Sequence, residues 1–218
     1  MSEKYFLQVE YKMVSDVPNY EPDRYINTYQ LSVLASTLEE EKYYEIGRGE
    51  VRLILESLAV NDHFDMFNVF DSFHTTMELG GEIYDFDERQ IIDEIRQFYD
   101  DDILYPNILL LERLELAKEY RGLGIGKRVI KDIVERFSFC AGLIALKAFP
   151  LQLESGRGLD DDWKKRVALE ELERDEEKVK YKLYHYYQNL GFESPLNNEF
   201  FFINPALKNK KFESISLE

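Results

Sequence analysis

Apolar positions along the chain follow two periods. Tyr5 to Val14 and Tyr25 to Ser36 are rich in aromatic and branched residues that partly alternate with polar ones, and Tyr43 to Ser57 repeats the pattern around Gly47 and Gly49. Side chains of a strand point to alternate faces, so these segments predict three strands. From Asp62 the spacing lengthens. Phe64, Phe67, Phe70 and Phe73 recur at helical intervals until Gly80-Gly81, which predicts a helix ending there. Asp87 followed by Gln90 resembles a capping box, and Ile91, Ile92, Ile95, Phe98 and Tyr99 predict an amphipathic helix behind it. Both aromatic stripes read as core.

The second half has a clearer order. After Asp100-Asp101-Asp102, Pro106 and Asn107 punctuate a loop, and Ile108 to Ala117 predicts a strand interrupted by Glu112, Arg113 and Glu115. Three glycines follow in "EYRGLGIGKRVI", residues 119 to 130, and Ile125, Val129, Ile130, Ile133, Val134 and Phe137 mark one face of a helix. Gly142 to Phe149 reads as a short buried strand ending at Pro150. Residues 160 to 182 are dense in charge of both signs, with Val167, Leu169, Leu172 and Val179 as aliphatic anchors, a pattern that predicts a solvated helix. The chain turns aromatic from Tyr181 to Leu190, stops at Gly191 as a helix would, and ends in a strand-like Glu199 to Ile203. The alternation of strands and helices predicts an α/β fold.

Composition narrows the class. With 218 residues and 44% apolar content the chain suits one domain spanning residues 1–218. It carries 43 acidic against 27 basic residues, a net charge of −16. That field repels phosphate backbones and anionic lipid, so neither nucleic acid nor membrane is expected as a partner, while a cationic partner and simple solubility explain it equally. The opening MSEKYFLQVEYK lacks a basic flank with a continuous apolar run, and no membrane span is visible. The single Cys140 fits a reducing cytoplasm. His63, His74 and His185 show no ligand spacing with one another or with Cys140, so no metal is expected.

The glycines carry the chemistry. A helix start presents unpaired N–H groups and partial positive charge, and removing side chains there lets a diphosphate approach the main chain. Gly122, Gly124 and Gly126 provide that clearance, and Arg121, Lys127 and Arg128 add basic charge to an otherwise acidic protein. Spacing alone equally serves a tight strand-to-helix connection. A P-loop needs Ser or Thr after its Lys, whereas Lys127 precedes Arg128, and the dinucleotide fingerprint needs other glycine spacing.

At these residues the sequence resembles the GNAT superfamily of acyl-CoA-dependent N-acyltransferases. Arg121-Gly122-Leu123-Gly124-Ile125-Gly126 matches the family signature of Arg or Gln, two residues, Gly, one residue, Gly or Ala, and "YYQNLGF", residues 186 to 192, resembles its late helix ending in Tyr, three residues, Gly-Phe. The resemblance covers about residues 104–205 and leaves 1–103 as a divergent N-terminal half. It implies a mixed, largely antiparallel sheet flanked by helices, with splayed central strands. It also implies acetyl-CoA or another short acyl-CoA as donor, and an amine acceptor. The main-chain groups from Leu123 to Lys127 would hold the pyrophosphate, with Arg121 at the start of the turn, and Leu114 and Leu116 would offer backbone partners to the pantetheine arm. Tyr187 matches the tyrosine that protonates the departing thiolate, though Tyr184 and Tyr186 crowd the same helix.

Departures from the pattern are equally visible. Lys180 and Leu183 stand where members carry Asn and Ala, and a charged insertion, 151–178, precedes the last helix. The two early helices follow the third predicted strand where the family places them after the first, so acceptor identity does not transfer. "FPLQLE", 149 to 154, leaves its strand beside the expected reaction centre. An attacking amine must be neutral, which calls for a base near the cleft. Glu112 and Glu115 are candidates, and strict alternation would point them to opposite sheet faces, so that at most one faces the acceptor. The leading expectation is a cytoplasmic N-acyltransferase acting by direct attack on an amine, with a cationic acceptor weakly favoured and a homodimer left open. The alternative is a non-catalytic acyl-CoA sensor or interaction module.

Overall fold

A computed structural model describes residues 5–15, 21–37, 42–154 and 160–217; residues 1–4 of the opening segment and 155–159 of the insertion lie outside the described residues. Three strands come first: β1 (Phe6–Met13), β2 (Ile26–Ser36) and β3 (Tyr44–Ile54). Helices α1 (Glu56–Asn61), α2 (Met66–Phe70) and α3 (His74–Ile83), the hairpin of β4 (Tyr84–Asp85) and β5 (Gln90–Ile91), and α4 (Asp93–Phe98) follow. The second half runs β6 (Ile108–Leu116), α5 (Ile125–Phe137), β7 (Leu143–Lys147), α6 (Asp161–Val167), α7 (Glu176–Asn189), β8 (Phe200–Ile203) and α8 (Lys210–Glu213). The main sheet has the order β1-β2-β3-β6-β7-β8, and only β6 and β7 are parallel. This is the expected mixed, largely antiparallel sheet.

The sheet buries both faces. Leu31, Val33, Val51, Leu109 and Leu111 pack with Ile125, Val129, Ile133 and Phe137 of α5. Ile54, Leu110, Leu143 and Phe202 pack on the other face with Val69, Phe70, Leu79 and Ile95 of the first four helices. Parallel neighbours need a crossover, and α5 supplies it between β6 and β7.

The two early helical expectations need correction. Phe64 to Phe73 do not share one helix, because the chain breaks between α1, α2 and α3, with Asp65 capping α2 through the Phe67 N–H at 3.0 Å. Gly80 and Gly81 lie inside α3, and a Cβ on Gly80 would stand 2.5 Å from the Phe70 ring, so glycine there permits close helix packing and does not end the helix. Asp87 caps nothing. Its own N–H and that of Glu88 donate to the Asp85 carboxylate in the β4–β5 turn, Gln90 and Ile91 are strand, and α4 begins only at Asp93.

The central strands splay. β6 pairs with β7 only from Ile108↔Leu143 to Leu111↔Leu146, after which β7 continues beside β8 alone. β6 continues against β3 to Gly47↔Leu116. At the point of divergence Glu50 pairs with Arg113 and Val51 with Leu111, so Glu112 is an extra residue in a β-bulge. A bulge bends its strand and increases the local twist, which accounts for β6 leaving β7 there.

Candidate functional site

The splay makes a cavity of about 440 Å³. Leu114, Glu115 and Leu116 of β6 form one wall, and Val179, Leu183, Tyr186 and Tyr187 of α7 the opposite one. Phe149 to Gln152, just after β7, and Arg121, at the start of the glycine turn, also line it, whereas Gly122 to Lys127 lie outside the lining. The "FPLQLE" exit thus contributes its first four residues to the cavity. Among the described residues, the edge of β6 beyond Leu111 has no strand partner on this side, and Leu114 and Leu116 line the cavity, the Leu116 carbonyl accepting from Arg121 Nε.

The glycine turn divides its labour. Gly122 and Gly124 adopt φ of +74° and +78°, a left-handed conformation costly for other residues, and Gly124 is the N-cap of α5. Gly126 has another reason: a Cβ there would lie 3.2 Å from the Tyr186 hydroxyl. Glycine at 126 therefore seats an α7 side chain against the helix start. Leu123 is exposed, Ile125 is buried in the core beneath the turn, and the first amides of α5 have no partner within the helix. The three nearby cations differ. Arg121 Nε donates to the Leu116 carbonyl at 3.0 Å and its guanidinium also bonds the Val167 carbonyl, so it ties the turn to α6. Arg128 donates to the Leu217 carbonyl at 2.8 Å. Lys127 is exposed and folds over Gly124, its ammonium 3.8 Å from where a Cβ would sit, which leaves it, among these three described cations, the one available at the helix start.

Glu112 and Glu115 share a face, contrary to simple alternation. Gly47, Gly49 and Val51 of β3 face α5, so Arg48, Glu50 and Arg52 face the other way. The bulge resets the alternation of β6: Glu112 pairs with Arg52, while Arg113 and Glu115 stand 3.7 Å apart on the same side as Arg48. Arg48 serves Glu45 and Asp160 at 2.9 and 2.7 Å, Arg52 serves Glu50 and Glu112, and Arg113 serves Glu154 at 2.6 Å and Glu115. Three guanidiniums meet six carboxylates on this face, while the cavity lining itself holds Glu115 and Glu173 with Arg121 and Lys182. Glu112 lies outside the cavity lining, whereas Glu115, 4% exposed, lies within it.

Two of the four tyrosines of α7, Tyr186 and Tyr187, line the cavity. The ring of Tyr186 is 38% exposed, but its hydroxyl lies inside against α5 and burial pushes its pKa up to about 12. Tyr187 packs on Phe192 and Phe201, and burial raises its pKa further. Both phenols are therefore protonated at neutral pH and able to donate. Tyr184 packs its ring on Phe201 and lies outside the cavity lining.

Sequence reasoning missed Trp163 and the roof. The charged insertion is not one solvated helix. α6 buries Trp163 and Val167 to 1% exposure, Ala168 turns the chain at φ +41°, and Leu169 and Leu172 cover the cavity. A lone tryptophan within a charged stretch was the available signal. Among the described residues, no group of three His, Cys, Asp or Glu side chains is placed to hold a metal, and no helix is long and apolar enough to cross a membrane. The chain matches no family model, and neither a curated protein nor a solved structure similar to it was found.

Proposed function

We propose that the protein is an N-acyltransferase that moves an acetyl or other short acyl group from acyl-CoA to an amine. One observation carries this reading: a single cavity brings together the unpaired edge of β6, Arg121 at the approach to the glycine turn, a buried carboxylate and two protonated phenols. The α5 amides and Lys127 suit a diphosphate, and the apolar walls of Leu114, Leu116 and Leu183 suit the chain behind it. The neutral amine nitrogen attacks the thioester carbon, the new C–N bond forms and the C–S bond breaks. The nitrogen's proton passes to Glu115, directly or through water, and the thiolate takes one from Tyr187. The net charge of −16 favours an amine on a cationic molecule, and the single Cys140 fits a reducing cytoplasm.

A second reading, acyl-CoA sensing without turnover, draws on one feature: Trp163 and Arg113 already contact Glu115, and Glu154 fills the same side. Purified protein, acetyl-CoA and a panel of amines, followed by free-thiol release, separates the two. Release stimulated by an amine supports transfer. Acetyl-CoA binding with no amine-dependent release overturns it in favour of the sensor.

A further inference from the structure

The segment from Asp160 to Glu173 is fastened from both sides. Asp160 caps α6 through the Trp163 N–H at 2.8 Å and pairs with Arg48, Arg166 donates to the Glu45 carbonyl at 2.6 Å, and Arg121 holds the Val167 carbonyl. These ties converge on Trp163, the chain's only tryptophan. The Arg48 and Arg166 guanidiniums lie 4.4 and 5.1 Å from its ring, so the plane of the indole is set by two cation–π contacts. Its Nε1 donates to Glu115 Oε2 at 2.9 Å.

We propose that Trp163 is a positioning residue of the transfer site, its indole N–H fixing the Glu115 carboxylate on the cavity wall. The inserted segment is then a working part of the site as well as its roof. This inference rests on the transfer reading, with Glu115 as the group that receives the amine's proton. The chemistry of the donor supports it. An indole donates but accepts nothing, so it orients a carboxylate without taking its proton or neutralising its charge. Arg113, on the same face, pairs with Glu154 at 2.6 Å and stands 3.7 Å from Glu115. Tryptophan here combines a rigid, buried body with one directed donor.

The test is a pair of substitutions. W163F keeps an aromatic ring for the two guanidiniums and removes the donor. Amine-dependent kcat should fall about tenfold, the scale of one hydrogen bond to a charge, with CoA affinity by calorimetry unchanged. In an E115Q background W163F should cost little more, because the group it positions is already disabled. The same fold loss in both backgrounds, or weakened CoA binding without loss of kcat, makes Trp163 a packing residue and overturns the assignment. Emission from the single tryptophan gives a readout independent of turnover and of whether W163F folds: E115Q should move it, and unchanged emission overturns the contact. Wild-type protein that binds CoA but acylates no amine overturns the transfer reading and with it this role, whereas transfer unaffected by W163F overturns the positioning role alone.

Discussion

The two ends of β6 belong to one strand and behave as two materials. Ile108 to Leu111 pair with β3 on one side and β7 on the other, and their side chains are at most 5% exposed. Glu112 to Leu116 keep only the β3 partner and include Glu112, Arg113 and Glu115. Where both edges are paired and both faces covered, a charge would be stranded without water, so the residues are aliphatic. Where the bulge frees one edge, guanidiniums from β3 and β6 satisfy the carboxylates and a ligand can reach the main chain. Buried carboxyls show the same contrast. Glu56, beside the closed end, accepts from the Tyr84 hydroxyl at 2.9 Å and faces no cation among the described residues, and burial pushes its pKa up to about 7; Glu112 and Glu115 at the open end each face an arginine.

The largest effect should come from the closed end. Leu109 is fully buried between the sheet and α5, and Leu109→Ala should cost about 2–5 kcal/mol through lost transfer energy and a cavity. Leu114→Ala, at a half-buried position facing the site cavity, should cost less than half as much. Urea denaturation with unchanged slopes measures both. Equal losses would erase the contrast between the two ends.

Glu56→Gln sharpens the comparison through pH. The folded-state pKa of about 7 lies above the ordinary 4.5, so the folded form binds more protons between those values. Stability should therefore fall as pH rises across that window and level off above it. The Gln variant should lack this slope and, at about pH 8, exceed the wild type by up to ~3 kcal/mol. Denaturation midpoints across the window decide it, and parallel profiles for the two proteins would refute it.

The closed end was the more legible in the sequence. Unbroken apolar runs at Ile108–Leu111 and Leu143–Leu146 announce strands buried on both faces, and the α5 stripe announces its helix. The glycine turn was legible because left-handed positions and helix starts need particular residues. The shared face of Glu112 and Glu115 was not, because a bulge depends on tertiary pairing that alternation within one strand does not encode. Nor was the roof, since Asp160, Arg166 and Glu171 are held by the distant Arg48, Glu45 carbonyl and Lys118 while the buried anchors number only a few. The early helices failed for a related reason: Gly80 is a packing glycine, and only the position of Phe70 reveals that.

At the open end, Gly124→Val should weaken CoA binding about a hundredfold or more by blocking diphosphate approach to the α5 amides. At φ +78° the branched side chain also strains the turn, so some thermal stability will be lost with it, by about 1–2 kcal/mol. Calorimetry on folded protein separates the two effects. Unchanged CoA affinity would remove the diphosphate site from the glycine turn, and with it half of the open end's proposed purpose.

The smallest effect distinguishes two neighbouring hydroxyls. Tyr187→Phe should lower kcat about tenfold with CoA affinity and stability nearly unchanged, because an ordinary thiol of pKa about 8.5 is already a fair leaving group and needs only modest protonation. Tyr186→Phe should act differently. Its hydroxyl sits against Gly126 at the start of α5, so its loss should alter CoA affinity more than kcat. Both rings keep their packing in these variants, so each comparison reports the hydroxyl alone. If Tyr186→Phe carries the kcat loss and Tyr187→Phe carries none, the proton comes from the residue that Gly126 makes room for, and the glycine turn serves both the diphosphate and the acid.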